Sequence, residues 1–148
     1  LATVGTYLNF AGTTEAAFEL YRSVFGGEFV APITRLGDAP GDPERPLADH
    51  ERNMVMHVSL PILGGHVLMG TDVPDSMGFG LVQGNNVSIT LQPDTLAEAD
   101  RLWAGLSSGH AEEVSMQMMF WGDYFGTCVD RFGIRWMIVA TPAAAPER

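Results

Sequence analysis

Sliding the sequence along itself by 82 positions lays Thr13 on Thr95, Ala17 on Ala99, Leu20 on Leu102, Tyr21 on Trp103 and Gly27 on Gly109. The pattern read around each copy repeats as well, in the order strand, helix, strand, strand, strand. Self-similarity of this kind is what a duplicated module leaves behind. The expectation is an α+β chain of two βαβββ modules, about residues 1–75 and 82–141 of one 1–148 domain. The modules are expected to form a curled mixed sheet around a cavity, with each helix on the convex side.

The helices carry the clearest periodicity. In "TTEAAFELYRSVFGG", Ala17, Phe18, Tyr21, Val24 and Phe25 recur on one face at helical spacing. Thr13 or Thr14 is suited to cap the first turn, Glu15 favours the positive end of the helix dipole, and Gly26-Gly27 supply a left-handed exit. In "DTLAEADRLWAGLSSG", Leu96, Ala99, Leu102, Trp103 and Leu106 share a face, with Asp94 as the expected cap. Strands are expected in "VGTYLNF", "EFVAPITRL", "MVMHVSLPI", "HVLMGTD", "NNVSITL", "EEVSMQMMF", "YFGTCVD" and "IRWMIVA". Pro32 confines the second to an edge or a bulge, and Gly64-Gly65 mark a hairpin turn. Residues 37–53, with three prolines and many charges, are an irregular surface excursion longer than usual connections, either mobile or functional. The tail "TPAAAPER" is expected to fray.

Charge narrows the partners. A formal net charge of −10 with eight scattered basic residues gives no stripe of cations for a nucleic-acid backbone. No apolar run reaches the ~20 residues of a membrane helix. One cysteine, Cys128, and no signal-like opening segment make a reducing cytoplasm the default compartment.

Three stretches, "YLNFAGTTEAAFELYRSVFGGEF", "LMGTD" and "FWGDYFGTCVDRFGIRWMI", resemble the PhnB-like family of the glyoxalase/bleomycin-resistance/dioxygenase superfamily, the vicinal oxygen chelate proteins. The resemblance runs from about residue 5 to residue 140. It implies the paired-module fold and a homodimer, and it leaves activity open, since that scaffold serves isomerases, lyases, dioxygenases, thiol transferases and drug-sequestering proteins. A methyltransferase label common in the family is not expected to apply, because no strand–glycine–helix unit for S-adenosylmethionine is present. Metal-dependent members hold one divalent ion with four side chains, two per module. The matching places here fall near Thr6, Met69 or Gly70, Asn86 and Met137, a set without carboxylate or imidazole. The resemblance carried onto these residues therefore predicts no metal and no other cofactor.

Candidate ligand-binding residues are Asn9, His57, Trp121, Tyr124 and Met137. His57 is either a hydrogen-bonded histidine lining the cavity or packed beside it, or a group with an acid/base or ligand role; alternation puts it on a face with Val55 and Ser59. Asn9 holds a substrate oxygen or satisfies backbone groups. Trp121 and Tyr124, with Phe120, form a cavity wall or simply pack. Strand methionines such as Met116, Met118 and Met137 fill the core or line a pocket for apolar ligands. Cys128 reads as a small buried residue, His50 and His66 as solvated, and His110 with Glu112 and Glu113 as a strand end more than a metal cluster. The leading function is a small-molecule binding protein without the usual catalytic metal, its partner an unidentified small organic ligand. The alternative is a metal-dependent lyase, isomerase or dioxygenase of the same superfamily, and a third reading is an interaction module whose cavity is filled by side chains.

Overall fold

The computed structural model describes residues 1–108 and 113–142. It divides into two compact units, Leu1–Val82 and Gln83–Arg148. The first contains β1 (Thr6–Phe10), α1 (Thr14–Phe25), β2 (Thr34–Arg35), β3 (Val55–Pro61) and β4 (Val67–Asp72). The second contains β5 (Ile89–Leu91), α2 (Leu96–Ser107), β6 (Glu113–Met118), β7 (Tyr124–Val129) and β8 (Arg135–Ala140). Each unit builds one four-stranded mixed sheet, in the orders β1-β4-β3-β2 and β5-β8-β7-β6. The two orders are the same permutation, so the repeat seen in the sequence extends to strand pairing.

The expected curled sheet around a cavity is not what forms. The strands make two separate open sheets, neither curled nor closed, and each ends in two edge strands with a single partner. Closure requires every strand to be paired on both sides. In the first sheet the edge strand β2 is only two residues long, and in the second β5 is only three. Most of the run at 28–36 is therefore not strand, as Pro32, which has no N–H to give to a ladder, foreshadows. Val30 still donates one backbone bond to Ser59.

In the first unit α1 buries Ala17, Phe18, Tyr21 and Val24 against Val58, Leu60 and Leu68. The fit is close at Gly70 of β4, where a Cβ would stand 2.5 Å from Cε2 of Phe18. Only glycine admits the ring there. Thr13 makes no side-chain cap. Its place is taken by Asp72, whose Oδ1 accepts from Gly12 N, Thr14 N and the Thr14 hydroxyl while Oδ2 accepts from Val55 N. One buried carboxylate thus ties the end of β4 to the start of α1 and of β3. Negative charge at a helix N-terminus is also favoured by the helix dipole.

In the second unit α2 buries Ala99, Leu102 and Leu106 on the side of the sheet that carries Cys128, Trp136, Ile138 and Ala140. The cap is Thr95, accepting from Glu98 N, and not Asp94. Thr95 and Glu98 have the spacing of a capping box, the signal that points one residue further on. The turn into β8 is organised by Asp130, which accepts from Phe132 N, Ile134 N and Trp136 Nε1. Gly133 in that turn has φ +90°, a conformation L side chains avoid.

Candidate functional site

In each sheet the helix covers one face and leaves the other open. Alternation decides which side chains reach the open face of the first sheet. Tyr7 pairs with Met69 and Met69 with Ser59, while Asn9 pairs with Thr71. His57, two residues before Ser59, stands opposite Thr34 on β2. Thr34 pairs with His57 but Arg35 with Val55, so Met56 is an extra residue on β3. This bulge breaks the expected alternation: Val55 is buried, whereas His57 and Ser59 remain on the open side.

A polar chain crosses this face. The Tyr7 hydroxyl lies 3.0 Å from His57 Nδ1, and His57 Nε2 lies 2.8 Å from Ser59 Oγ. The Tyr7 and His57 rings are 5.6 Å apart between centroids. A neutral imidazole accepts at one nitrogen and donates at the other, which suits two hydroxyl partners in either direction of donation. His57 is thus held in place with both nitrogens engaged. Asn9, on the edge strand, is exposed on the same face.

On the second sheet the open face carries Met137 beside Thr127 and Thr90, with Phe125 and Val139 next along. Trp121 meets Phe125 edge-on at 6.1 Å and Phe120 at 4.9 Å. These aromatics belong to the β6–β7 turn, closed by Met119 N on Asp123 O. Phe120 is almost fully exposed and Trp121 about half. Tyr124 lies elsewhere. It pairs with Ala140 on the covered face, and its hydroxyl donates to Asp100 of α2 at 2.6 Å. That bond to a carboxylate holds the phenol pKa above its ordinary value. The structure therefore groups Asn9 with His57 on one sheet and Trp121 with Met137 on the other, and sets Tyr124 apart from Met137.

The four places of the family's metal site can be tested module by module. Gly70 lies against Phe18, so Met69 is the group that β4 presents to the open face. Thr6 alternates away from Tyr7 and bonds His66 Nε2 at 2.8 Å. This makes His66 a half-buried, partnered residue instead of a solvated one. Met137 supplies a thioether in the second unit, and Asn86 is exposed ahead of β5. The thioethers of Met69 and Met137 are soft donors, and the amide oxygen of Asn86 alone does not make a site for a hard divalent cation. Among the described residues no group of three or more His, Cys, Asp or Glu is placed to hold a metal ion. His110 and Glu112 lie outside the described residues.

Two further features escaped the sequence reading. Tyr7 was legible only as the alternation partner of Asn9 two residues on. The other is a cleft of about 420 Å³ in the first unit, between the excursion after β2 and the 3-10 turn Asp75–Met77. Its lining includes Leu36, Leu47, Met56 and Met77. A long irregular segment was the only sign of it.

Comparison with known proteins gives one family model, described as 3-demethylubiquinone-9 3-methyltransferase, matching residues 2–139. The crystal structure of protein PA1353 from Pseudomonas aeruginosa is 30% identical, with a TM-score of 0.81 over 95% of this chain and 98% of that one. A PhnB protein from Bacillus cereus, 21% identical, superposes with a TM-score of 0.70 over 95% of this chain and all of its own. Protein YjdN of Escherichia coli (strain K12) is 26% identical over 138 residues, 89% of this chain and 90% of its own.

Proposed function

Because the chain belongs to the PhnB-like family of the glyoxalase/bleomycin-resistance superfamily, we propose that it binds a small organic molecule on its open sheet faces without a hard divalent cation. The observation that carries this reading is the Tyr7–His57–Ser59 chain. Both imidazole nitrogens are committed to hydroxyls, and the neighbouring groups are the thioether of Met69, Thr71 and the amide of Asn9. Such a face offers hydrogen bonds and polarisable contact that orient an organic ligand. On the second unit Met137, Phe125 and Trp121 offer apolar and aromatic contact of the same kind.

A second reading is kept by one observation. A histidine fixed between a phenol and an alcohol is also the arrangement of a general base, so lyase or isomerase chemistry through His57 is the alternative. Methyl transfer, the activity in the family model's description, finds no support in the sheets. Neither has the parallel doubly wound order on which S-adenosylmethionine usually sits.

A screen of small organic molecules by chemical-shift perturbation tests the proposal. Saturable shifts are expected at Tyr7, His57, Ser59 and the Met69 methyl, and Tyr7→Phe and His57→Phe are expected to weaken them. A screen in which no molecule moves these residues contradicts it. The same reading takes the protein as a cytoplasmic homodimer; light scattering at micromolar concentration tests the dimer, and a monomer there counts against it.

A further inference from the structure

The cleft beside the excursion is a different place from the open faces and has chemistry of its own. Its floor and sides are apolar: Leu36, Leu47, Met56 at the β3 bulge, and Met77. Its walls are tied together by Glu51, which is 2% exposed. One carboxylate oxygen accepts from Ala48 N in the excursion and the other from the Ser76 hydroxyl in the opposite wall. These bonds, the backbone one foremost, hold the Glu51 pKa below its ordinary value. The cleft is therefore a braced feature of the fold.

At its rim stand two opposite charges. Asp42 and Arg45 occupy the first and last places of a turn closed by Arg45 N on Asp42 O at 3.0 Å, with Pro43 in the second place. Their Cα atoms are thus within about 7 Å. Yet the two side chains form no ion pair with each other, and Arg45 has no carboxylate partner among the described residues. Among the described residues Asp42 accepts one bond, from Glu44 N to Oδ1, and none at its second oxygen. An anion alone would meet the repulsion of Asp42, and a cation alone that of Arg45. A molecule carrying an ammonium and a carboxylate on one carbon satisfies both residues, and an apolar substituent on that carbon then enters the cleft.

We propose that this cleft binds an α-amino acid with an apolar side chain, its carboxylate on Arg45 and its ammonium on Asp42. The site is independent of the open-face reading, since none of Asn9, Tyr7, His57 or Ser59 lines it.

The test is titration of the full chain with L-leucine, L-methionine and L-phenylalanine, followed by isothermal calorimetry and ligand-observed NMR. The one-charge counterparts 4-methylpentanoate and 3-methylbutylamine are titrated alongside. Saturable binding of at least one amino acid is expected, with both counterparts weaker by about tenfold or more, the size of one lost charge-assisted hydrogen bond. Arg45→Gln and Asp42→Asn should each lose a similar factor, whereas Arg45→Lys should lose less. Both positions are exposed loop residues, and thermal unfolding checks that each variant folds. If one is unstable, the other carries the test. Absence of saturable binding by all three amino acids overturns the proposal, as does equal binding of the acid alone or unchanged affinity in folded R45Q and D42N. Loss of binding in Tyr7→Phe instead would move the amino acid to the open face and equally overturn it.

Discussion

Replacing Asp72 with alanine removes one acceptor group from four donors at once. Asp72 is 5% exposed, and two of its donors, Thr14 N at 3.0 Å and Val55 N at 2.8 Å, are buried. Each buried amide left without an acceptor costs about 1–3 kcal/mol. The Thr14 hydroxyl can turn and Gly12 N is only partly buried, so they add less. The expected loss is about 3–5 kcal/mol, a large part of the 5–15 kcal/mol typical of a folded chain. Asp72→Asn keeps one oxygen for the α1 side and points an amide donor at Val55 N, or the reverse, so about 1–3 kcal/mol is expected. Urea unfolding followed by far-ultraviolet circular dichroism measures both. Hydrogen exchange should show lost protection at Thr14 and Val55 in the alanine variant. A loss below about 1 kcal/mol for Asp72→Ala, or an asparagine variant as damaged as the alanine one, would refute the idea that this carboxylate joins helix and strands.

Further outcomes follow from other contacts. Gly70→Ala places a Cβ against the fully buried Phe18 ring and should destabilise by about 1–3 kcal/mol in thermal unfolding, with Phe18→Leu on the same background recovering part of it. Thr95→Ala removes the α2 cap and should cost about 1 kcal/mol, whereas Asp94→Ala should be near neutral. Tyr124, whose pKa is raised from 10.0 by its bond to Asp100, contributes stability that is present below about pH 10 and is lost as pH rises through the folded-state pKa. An ultraviolet titration compared with that of Tyr124→Phe should find the Tyr124 phenol ionising late, and earlier in Asp100→Asn.

What the sequence discloses, it discloses through periodicity. The helical face Ala17–Phe18–Tyr21–Val24 and its counterpart Ala99–Leu102–Leu106 are the buried faces of α1 and α2, because a period of 3.6 can be read without knowing the partner. Strand lengths are less legible. "EFVAPITRL" and "NNVSITL" have strand composition, but whether an edge residue pairs depends on the neighbour's register, and only Thr34–Arg35 and Ile89–Leu91 do so. The expected cap at Thr13 or Thr14 failed for a related reason: the acceptor that serves the helix start, and that takes the Thr14 hydroxyl as well, is 58 residues away, on Asp72. The candidate site shows the same limit. Alternation, which is local, puts His57 with Ser59, but that Asn9 shares their face depends on the registers of β1 on β4 and β4 on β3, and the bond from Tyr7 to His57 spans 50 positions and leaves no local mark. Trp121 and Tyr124 are three residues apart in the sequence, but one meets Phe125 edge-on and the other is drawn under α2 by Asp100.

The account turns on whether the two open faces present organic-ligand chemistry in place of a hard-cation site. Elemental analysis of protein purified without chelators, repeated after incubation with manganese, zinc, nickel and magnesium salts and desalting, tests this most directly. The account predicts well under one metal ion per chain in every sample and no stabilisation by these ions in thermal unfolding. One ion retained per chain, lost together with the stabilisation in Tyr7→Phe or His57→Phe, would contradict it.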